Sequence, residues 1–412
     1  MRRMLGLELK RLFKARMVRI LLAASLVLAV GMAMLVVSFT EYYYLDEQGN
    51  QARVTGFTAV REWKKTLKPY EGDLTAERIA RMVKENRVLE EKYGEDTPLK
   101  EYMEIEYPVG WALALVRQVF VEHDGSPTPL TEITDREAAN FYKQREQTIA
   151  AELAAKYPEH PSVQKKVAAL NEKLQTPLHF VYGYAKSDAG DYLLLCLVLL
   201  GFFCAVLAAP VFSADYQNGS DDILRCTKNG RLKLAFTKML AVMLISTVMF
   251  CLFIGIYLAI VNTVYGWDSL AASFQFTNNY ITSIAPLTSG QAQVLTVAVG
   301  FIGLTASVTF GMLVSSRCRT AMVSVVVGLL MCLLPTILSI AGSGNLIQWL
   351  CCLLPAGGFG IQHSFYYELL GNTFLLAGPF SVWSPYVIAI AAAVEIPFFF
   401  FLAARSYCRH EG

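Results

Sequence analysis

The chain has 412 residues, 54% of them apolar and 17% charged. Soluble domains carry roughly 25% charged residues, so an ordinary soluble protein and a disordered chain are both excluded. The 36 basic and 34 acidic residues nearly cancel, and net charge points to no nucleic-acid partner. Residues 41–190 hold 20 Lys or Arg and 25 Asp or Glu, and none of the nine cysteines falls among them. A polar block therefore sits inside a membrane-like chain and must hold together by packing, without disulfides. The cysteines show no C-x-x-C pair and no zinc spacing, so they read as small buried hydrophobes and no metal is expected.

Residues 1–19 open the chain as a predicted amphipathic helix. Met4, Leu5, Leu9, Leu12, Phe13 and Met17 share one face, and Arg3, Lys10, Arg11 and Lys14 are set against it. Such a helix lies along an anionic inner leaflet; the plainer reading is a basic flank that enforces topology. A full apolar span follows, and Ser38-Phe39-Thr40-Glu41 is a poor cleavage site, so no cleaved signal peptide is expected.

A span needs about 20 apolar residues. Six segments meet or approach this: Ile20–Phe39, Tyr192–Phe212, Met239–Tyr265, Gln291–Val314, Ala321–Ala341 and Pro385–Leu402. Leu346–Leu354 is too short, is cut by Pro355, and reads as re-entrant or interfacial within an outer connection at 342–384. Lys and Arg cluster before span one, between spans two and three, between four and five, and in the tail at 403–412. The loops at 266–290 and 342–384 contain neither. This alternation predicts six spans in the plasma membrane with both termini cytoplasmic. The polar block at 40–191 is then extracytoplasmic. Tyr42, Tyr43, Tyr44, Tyr192, Tyr265, Trp267, Trp383 and Tyr386 mark the headgroup levels.

Within that block the signals are helical. Asp73 or Thr75 can cap a helix with Ile79, Met82, Val83, Asn86 and Leu89 on one face and Gly94 past its end. Thr134-Asp135-Arg136-Glu137 is a capping box opening a helix that runs to Tyr157-Pro158. Ser162 starts a third with Val163, Val167, Leu170 and Leu174. The run Trp111–Phe120 is a candidate core. The fold class is therefore all-α: a polytopic membrane protein with six transmembrane helices, an interfacial N-terminal helix and a helical extracytoplasmic domain between spans one and two.

The connection at 213–238 carries the clearest functional signal. Ser220 is a plausible N-cap, and Asp221 and Asp222 would occupy the first turn, where the helix dipole favours them. Asn229-Gly230 would end the helix. The result is a short charged helix between two glycines; the plainer reading is an ordinary inter-span loop.

The Glu8-x-Lys10-Arg11 entry helix, the large outer insertion and this loop together resemble permeases of the type-2 ABC exporter superfamily. The family's loop pattern falls on Asp215, Gly219, Ser220, Leu224, Thr227, Arg231 and Lys238. Asp stands at 215 where Glu is usual, and Lys228 stands where the family often has Pro. The resemblance implies a coupling helix, with Asp221 and Asp222 in it, that docks on a cytoplasmic ABC ATPase in two copies. It also implies a transport path between this chain and a second permease protomer, itself or a paralogue. No G-x-x-x-x-G-K-[ST] occurs, so no cofactor is expected on this chain; ATP and Mg would sit on the ATPase.

Other chemistry is sparse, and no catalytic residue is expected. His123, His160 and His179 read as surface groups, and there is no H-E-x-x-H. His363 with Glu368 is the one hint of an intramembrane catalytic pair. Glu395 is the acidic residue inside a span, where a charge faces a cavity or a partner. Gly300, Gly303 and Gly311 allow close helix contact. The reading is an ABC exporter permease, not an enzyme. The alternatives are a sensor or scaffold using the outer domain, and less favoured, a polytopic enzyme of lipid or cell-wall chemistry.

Overall fold

The computed structural model describes residues 2–122, 126–227 and 230–409. His123, Lys228 and Asn229, which figure in the sequence reading, lie outside the described residues. The chain begins with α1 (Arg2–Lys14), broken from α2 (Arg16–Ser38) by Ala15 in an extended conformation. The predicted helix at 1–19 therefore ends earlier, and span one starts at Arg16.

Among the described residues, six helices are long and apolar enough to cross a membrane. They are α2; α10 (Ala189–Ala208) continued by α11 (Pro210–Gln217); α13 (Leu232–Tyr265); α14 (Ser289–Ser315); α15 (Ala321–Ala341); and α18 (Ser384–Arg409). Several run past the apolar segment that announces them. α13 starts seven residues before Met239, and α18 continues past Leu402 to Arg409. Hydropathy marks only the part of a helix that meets lipid; the extra turns pack on other helix ends.

Polar groups fasten the bundle. Asn262 and Gln293 exchange two amide hydrogen bonds of 3.1 Å between α13 and α14. Tyr257 donates to the Ala189 carbonyl at 2.7 Å, joining α13 to α10. Gly300 lets α14 meet α10 closely: a Cβ there would lie 2.7 Å from Leu197 Cδ1. Thr288 and Gln291 form a capping box that starts α14, satisfying helix donors that lipid could not.

The segment between α2 and α10 is mostly helical, with α3 (Gly56–Leu67), α4 (Ala76–Tyr93), α5 (Leu99–Glu101), α6 (Gly110–Val119), α7 (Asp135–Ala138), α8 (Phe141–Lys156) and α9 (Pro161–Asn171). Thr75 caps α4, accepting from the Arg78 N–H, and Ile79, Met82, Val83, Asn86 and Leu89 are its buried residues. The capping box at Thr134 and Glu137 is formed, but α7 stops at Ala138 and α8 restarts at Phe141. One predicted helix is thus two, broken where Asn140 leaves helical geometry. α6 buries Trp111, Leu113, Leu115 and Val116 and stacks Trp111 on Phe180 at 3.8 Å.

Among the described residues, three antiparallel ribbons supplement the helices: β1 (Glu41–Leu45) with β2 (Gln51–Thr55), β3 (Gly72–Leu74) with β4 (Leu178–Phe180), and β5 (Phe374–Ala377) with β6 (Phe380–Trp383). The second closes the domain by pairing its beginning with its end. The third, with α16 (Asn345–Leu353) and α17 (Phe365–Leu370), fills the connection between α15 and α18. α9 reaches this connection: Ser162 Oγ lies 3.0 Å from Ser381 Oγ, and Lys166 donates to the Ser381 carbonyl.

Arg145 is the deepest anchor of the domain. It is 1% exposed and donates to the carbonyls of Ile281 and Ser283, each at 2.7 Å, and to Asn171 Oδ1 at 2.9 Å. Burial pushes its guanidinium down to about 10, because three neutral oxygens replace water without supplying a counter-charge. The domain is thereby pinned to the loop between α13 and α14.

Candidate functional site: the elbow after the second span

At the end of the bundle that carries both termini, α11 ends at Gln217 and a short helix, α12 (Ser220–Arg225), turns away from it. Gly219 occupies the N-cap with φ of +64°. Only a residue without Cβ adopts this cheaply, so the reversal falls there and not on Ser220. Ser220 is the first helical residue, and its hydroxyl donates back to the Asp215 carbonyl at 3.4 Å. Asp221 and Asp222 stand in the first turn. Thr227 Oγ1 closes the other end by donating to the Leu224 carbonyl at 2.7 Å. Gly230 passes so close that a Cβ would sit 1.6 Å from the Leu224 oxygen.

Asp215 is not in the loop. It lies in the last turn of α11, is buried, and is paired with Lys238 of α13. Arg11 of α1 stands 3.9 Å from the same carboxylate and 2.8 Å from Glu8. Two carbon-rich helix ends are therefore latched through one buried ion pair. Such a pair adds little net stability but is costly to break from one side.

Arg225 lies over the Tyr407 ring at 5.0 Å from its centroid and donates to the Tyr407 carbonyl, joining α12 to the end of α18. The Tyr407 hydroxyl donates to the Gly230 carbonyl at 3.3 Å, and its ring stacks on Phe212 at 4.7 Å. Ser315, at the end of α14, donates to the Ala209 carbonyl at 2.5 Å and accepts from the Phe212 and Ser213 N–H groups. Thus α12 is tied directly to α11 and α18, and through α11 to α13 and α14.

The outward side of this elbow is small. Asp221 is buried; Gln217, Asn218, Asp222, Ile223, Cys226 and Thr227 are exposed. Ile223 is 74% exposed. Sequence reasoning passes over Ile223, because an isoleucine in a hydrophobic chain signals nothing until its helix face is known. It also misses Tyr407, which stands 182 residues from Arg225 and reads only as part of a tail.

On α1, Arg3, Lys10, Arg11 and Lys14 are exposed as expected, while Leu9 and Leu12 pack on the protein core and Leu7 and Phe13 remain exposed. The apolar side of the helix is thus divided between the bundle and its surroundings. Glu395 lies half-buried on α18, and its Oε2 has no hydrogen-bond partner among the described residues.

The enzyme reading rests on His363 and Glu368, and these do meet: Nε2 is 3.5 Å from Glu368 Oε1 and 3.6 Å from Cys352 Sγ. All three are buried, Ser384 donates to the other Glu368 oxygen, and burial pushes the His363 pKa down. Sealed groups of this kind hold α16, α17 and α18 together and offer no face to a substrate.

The architecture defines an all-α polytopic membrane protein with six spans and a large insertion after the first. The model of the ABC-2 family transporter protein matches residues 20–405. The chain belongs to that family and is a transmembrane permease of an ABC transporter, a transport component whose family membership implies an ABC ATPase partner. No curated protein matches it.

Proposed function

We propose that this chain is the permease of an ATP-driven exporter, that it pairs with itself or a paralogue, and that two ATPase subunits dock on α12 from the cytoplasm. The observation that carries this is the elbow: a tip whose outward side, Asn218, Asp222, Ile223, Cys226 and Thr227, is exposed, and whose root is fastened through α11 to α13 and α14 and through Arg225 to α18. Docking would cover Ile223 and Asp222. Closure of the ATPase pair on ATP would push the tip. The Asp215–Lys238 latch and the Arg225–Tyr407 contact would carry that push to α11, α13 and α18, and switch access to a path between protomers.

The orientation that puts the elbow inside is supported by the Lys and Arg bias of its side of the bundle. Asp221 serves inside the elbow, and Leu224, Thr227 and Arg231 shape its return. Arg3, Lys10, Arg11 and Lys14 then face the inner-leaflet headgroups. Few residues along the apolar stretches of α15 and α18 are buried, which leaves wide apolar faces for lipid and for the second protomer. Glu395, with an unpartnered oxygen on α18, is suited to that junction or to the path. ATP and Mg are assigned to the ATPase.

The test is purification of the tagged chain in mild detergent, with ATPase activity and cargo flux assayed in vesicles. An ABC ATPase in equal amount, and flux that stops with Gly219→Pro, support the proposal. Flux without any ATPase, or full flux in Gly219→Pro, overturns it.

A further inference from the structure

A chamber lies at the end of the bundle opposite the elbow, where α2 and α10 meet the inserted domain. Its volume is about 230 Å³, and Trp63, Tyr107, Trp111, Tyr182, Lys186 and Asp188 are among its walls. Trp63 packs on two other aromatic walls: it lies 5.0 Å from Tyr107 and 6.2 Å from Tyr182 between ring centroids. Residues of four separate segments build it, with Thr40 and Glu41 as the fourth, so it exists only in the assembled domain.

Two of its donors are unspent. Lys186 has three N–H groups, and Asn279 Oδ1, at 2.6 Å, is its one hydrogen-bond acceptor among the described residues. No carboxylate pairs with it among those residues. Burial lowers its pKa to about 8, which leaves it a cation at neutral pH. The Trp111 indole N–H is buried and has no acceptor among the described residues. Leaving a buried donor such as this indole N–H unmet costs about 1–3 kcal/mol.

The acidic neighbours do not cancel this. The Glu41 carboxylate is already held by Arg53 and by the Tyr43 hydroxyl, each at 2.7 Å, and Asp188 is exposed at the rim. Aromatic walls with a rim carboxylate would also suit an organic cation, but the Lys186 ammonium in the wall opposes one.

We propose that this chamber binds an organic anion, with a carboxylate or phosphate on Lys186 and Trp111 and a flat apolar body among Trp63, Tyr107 and Tyr182. The anion is either a lipid headgroup or a free amphiphile; the chemistry is shared. The proposal stands apart from the ATPase-docking reading and does not depend on the direction of transport.

The test uses the full chain in a non-ionic detergent, with para-iodobenzoate as a probe whose heavy atom quenches tryptophan. Saturable quenching is expected, reversed by phenyl phosphate and not by phenyltrimethylammonium. Lys186→Met should weaken it by about ten- to a hundredfold, the loss of a charge-assisted hydrogen bond. Ser187→Asp, which adds a carboxylate at the wall and keeps the lysine, should weaken it as well. Lys65→Met, exposed on α3, should leave it unchanged. In nanodiscs, suppression of quenching by phosphatidylglycerol but not by phosphatidylcholine identifies a lipid headgroup; equal quenching in both identifies a free anion. Non-saturable quenching, equal affinity in both wall variants and the parent, or stronger displacement by phenyltrimethylammonium overturns the proposal.

Discussion

Ile223→Ala removes the most exposed apolar side chain of α12 and isolates docking from folding. The change deletes three carbon groups worth about 0.8 kcal/mol each when buried. Ile223 is 74% exposed in the free chain, so about three-quarters of that value, roughly 1.8 kcal/mol, is available only when a partner covers it. This corresponds to about a 10- to 30-fold weaker ATPase interaction per protomer. The stability of the permease itself should shift by less than about 0.5 kcal/mol, as for other surface changes. Titration of the purified ATPase against permease in nanodiscs reads the first quantity, and thermal unfolding in the same discs reads the second. An unchanged dissociation constant would refute the assignment of Ile223 to the docking face. A large fall in stability would show that the side chain is packed within the chain.

Three further outcomes follow from the described contacts. Lys238→Met leaves Asp215 buried without its main counter-charge, so it should destabilise the protein by about 3–5 kcal/mol, and Asp215→Asn added to it should recover most of the loss; equal stability of the single and double variants would disprove the latch. Arg145→Met strands the Ile281 carbonyl and should cost about 2–3 kcal/mol, seen as faster hydrogen exchange in the 281–285 loop and in α8; unchanged exchange there would count against the anchor. Binding of para-iodobenzoate should fall as pH rises through about 8, the depressed pKa of Lys186, because the binding form is the ammonium. Tyr107, pushed up to about 12 by burial, stays neutral in this window, Tyr182 is raised further still, and Asp188 and Asn279 add no charge change there, so a flat profile would contradict the ammonium's role.

Periodicity and hydropathy are local signals, and what they reveal is local. The six apolar runs, the buried face of α4 and the caps at Thr75 and Thr134 depend on residues a few positions apart, and all can be read directly. The fold class follows from them. The elbow is only partly legible. Gly219, Asp221 and Asp222 announce a turn and a helix start, but the positive φ puts the cap on Gly219 and leaves Ser220 inside. Asp215 reads as a loop acid because nothing near it in sequence says that α11 prolongs the second span through Pro210. The Arg145 anchor and the Arg225–Tyr407 contact join positions more than a hundred residues apart, so no window of the sequence contains them. The Lys186 chamber is hidden for the same reason, since its walls come from the turn after α2, from α3, from α6 and the turn before it, and from the approach to α10.

The proposed coupling depends on α12 being the place where an ABC ATPase grips the permease. A photoreactive amino acid placed at position 223 in membranes of the native cell tests this at the side chain itself. A cross-link to an ABC ATPase, absent when the same group is placed at the exposed position 65 on α3, is the predicted result. A cross-link at 223 to nothing but lipid, or capture of the ATPase from 65 and not from 223, would contradict it.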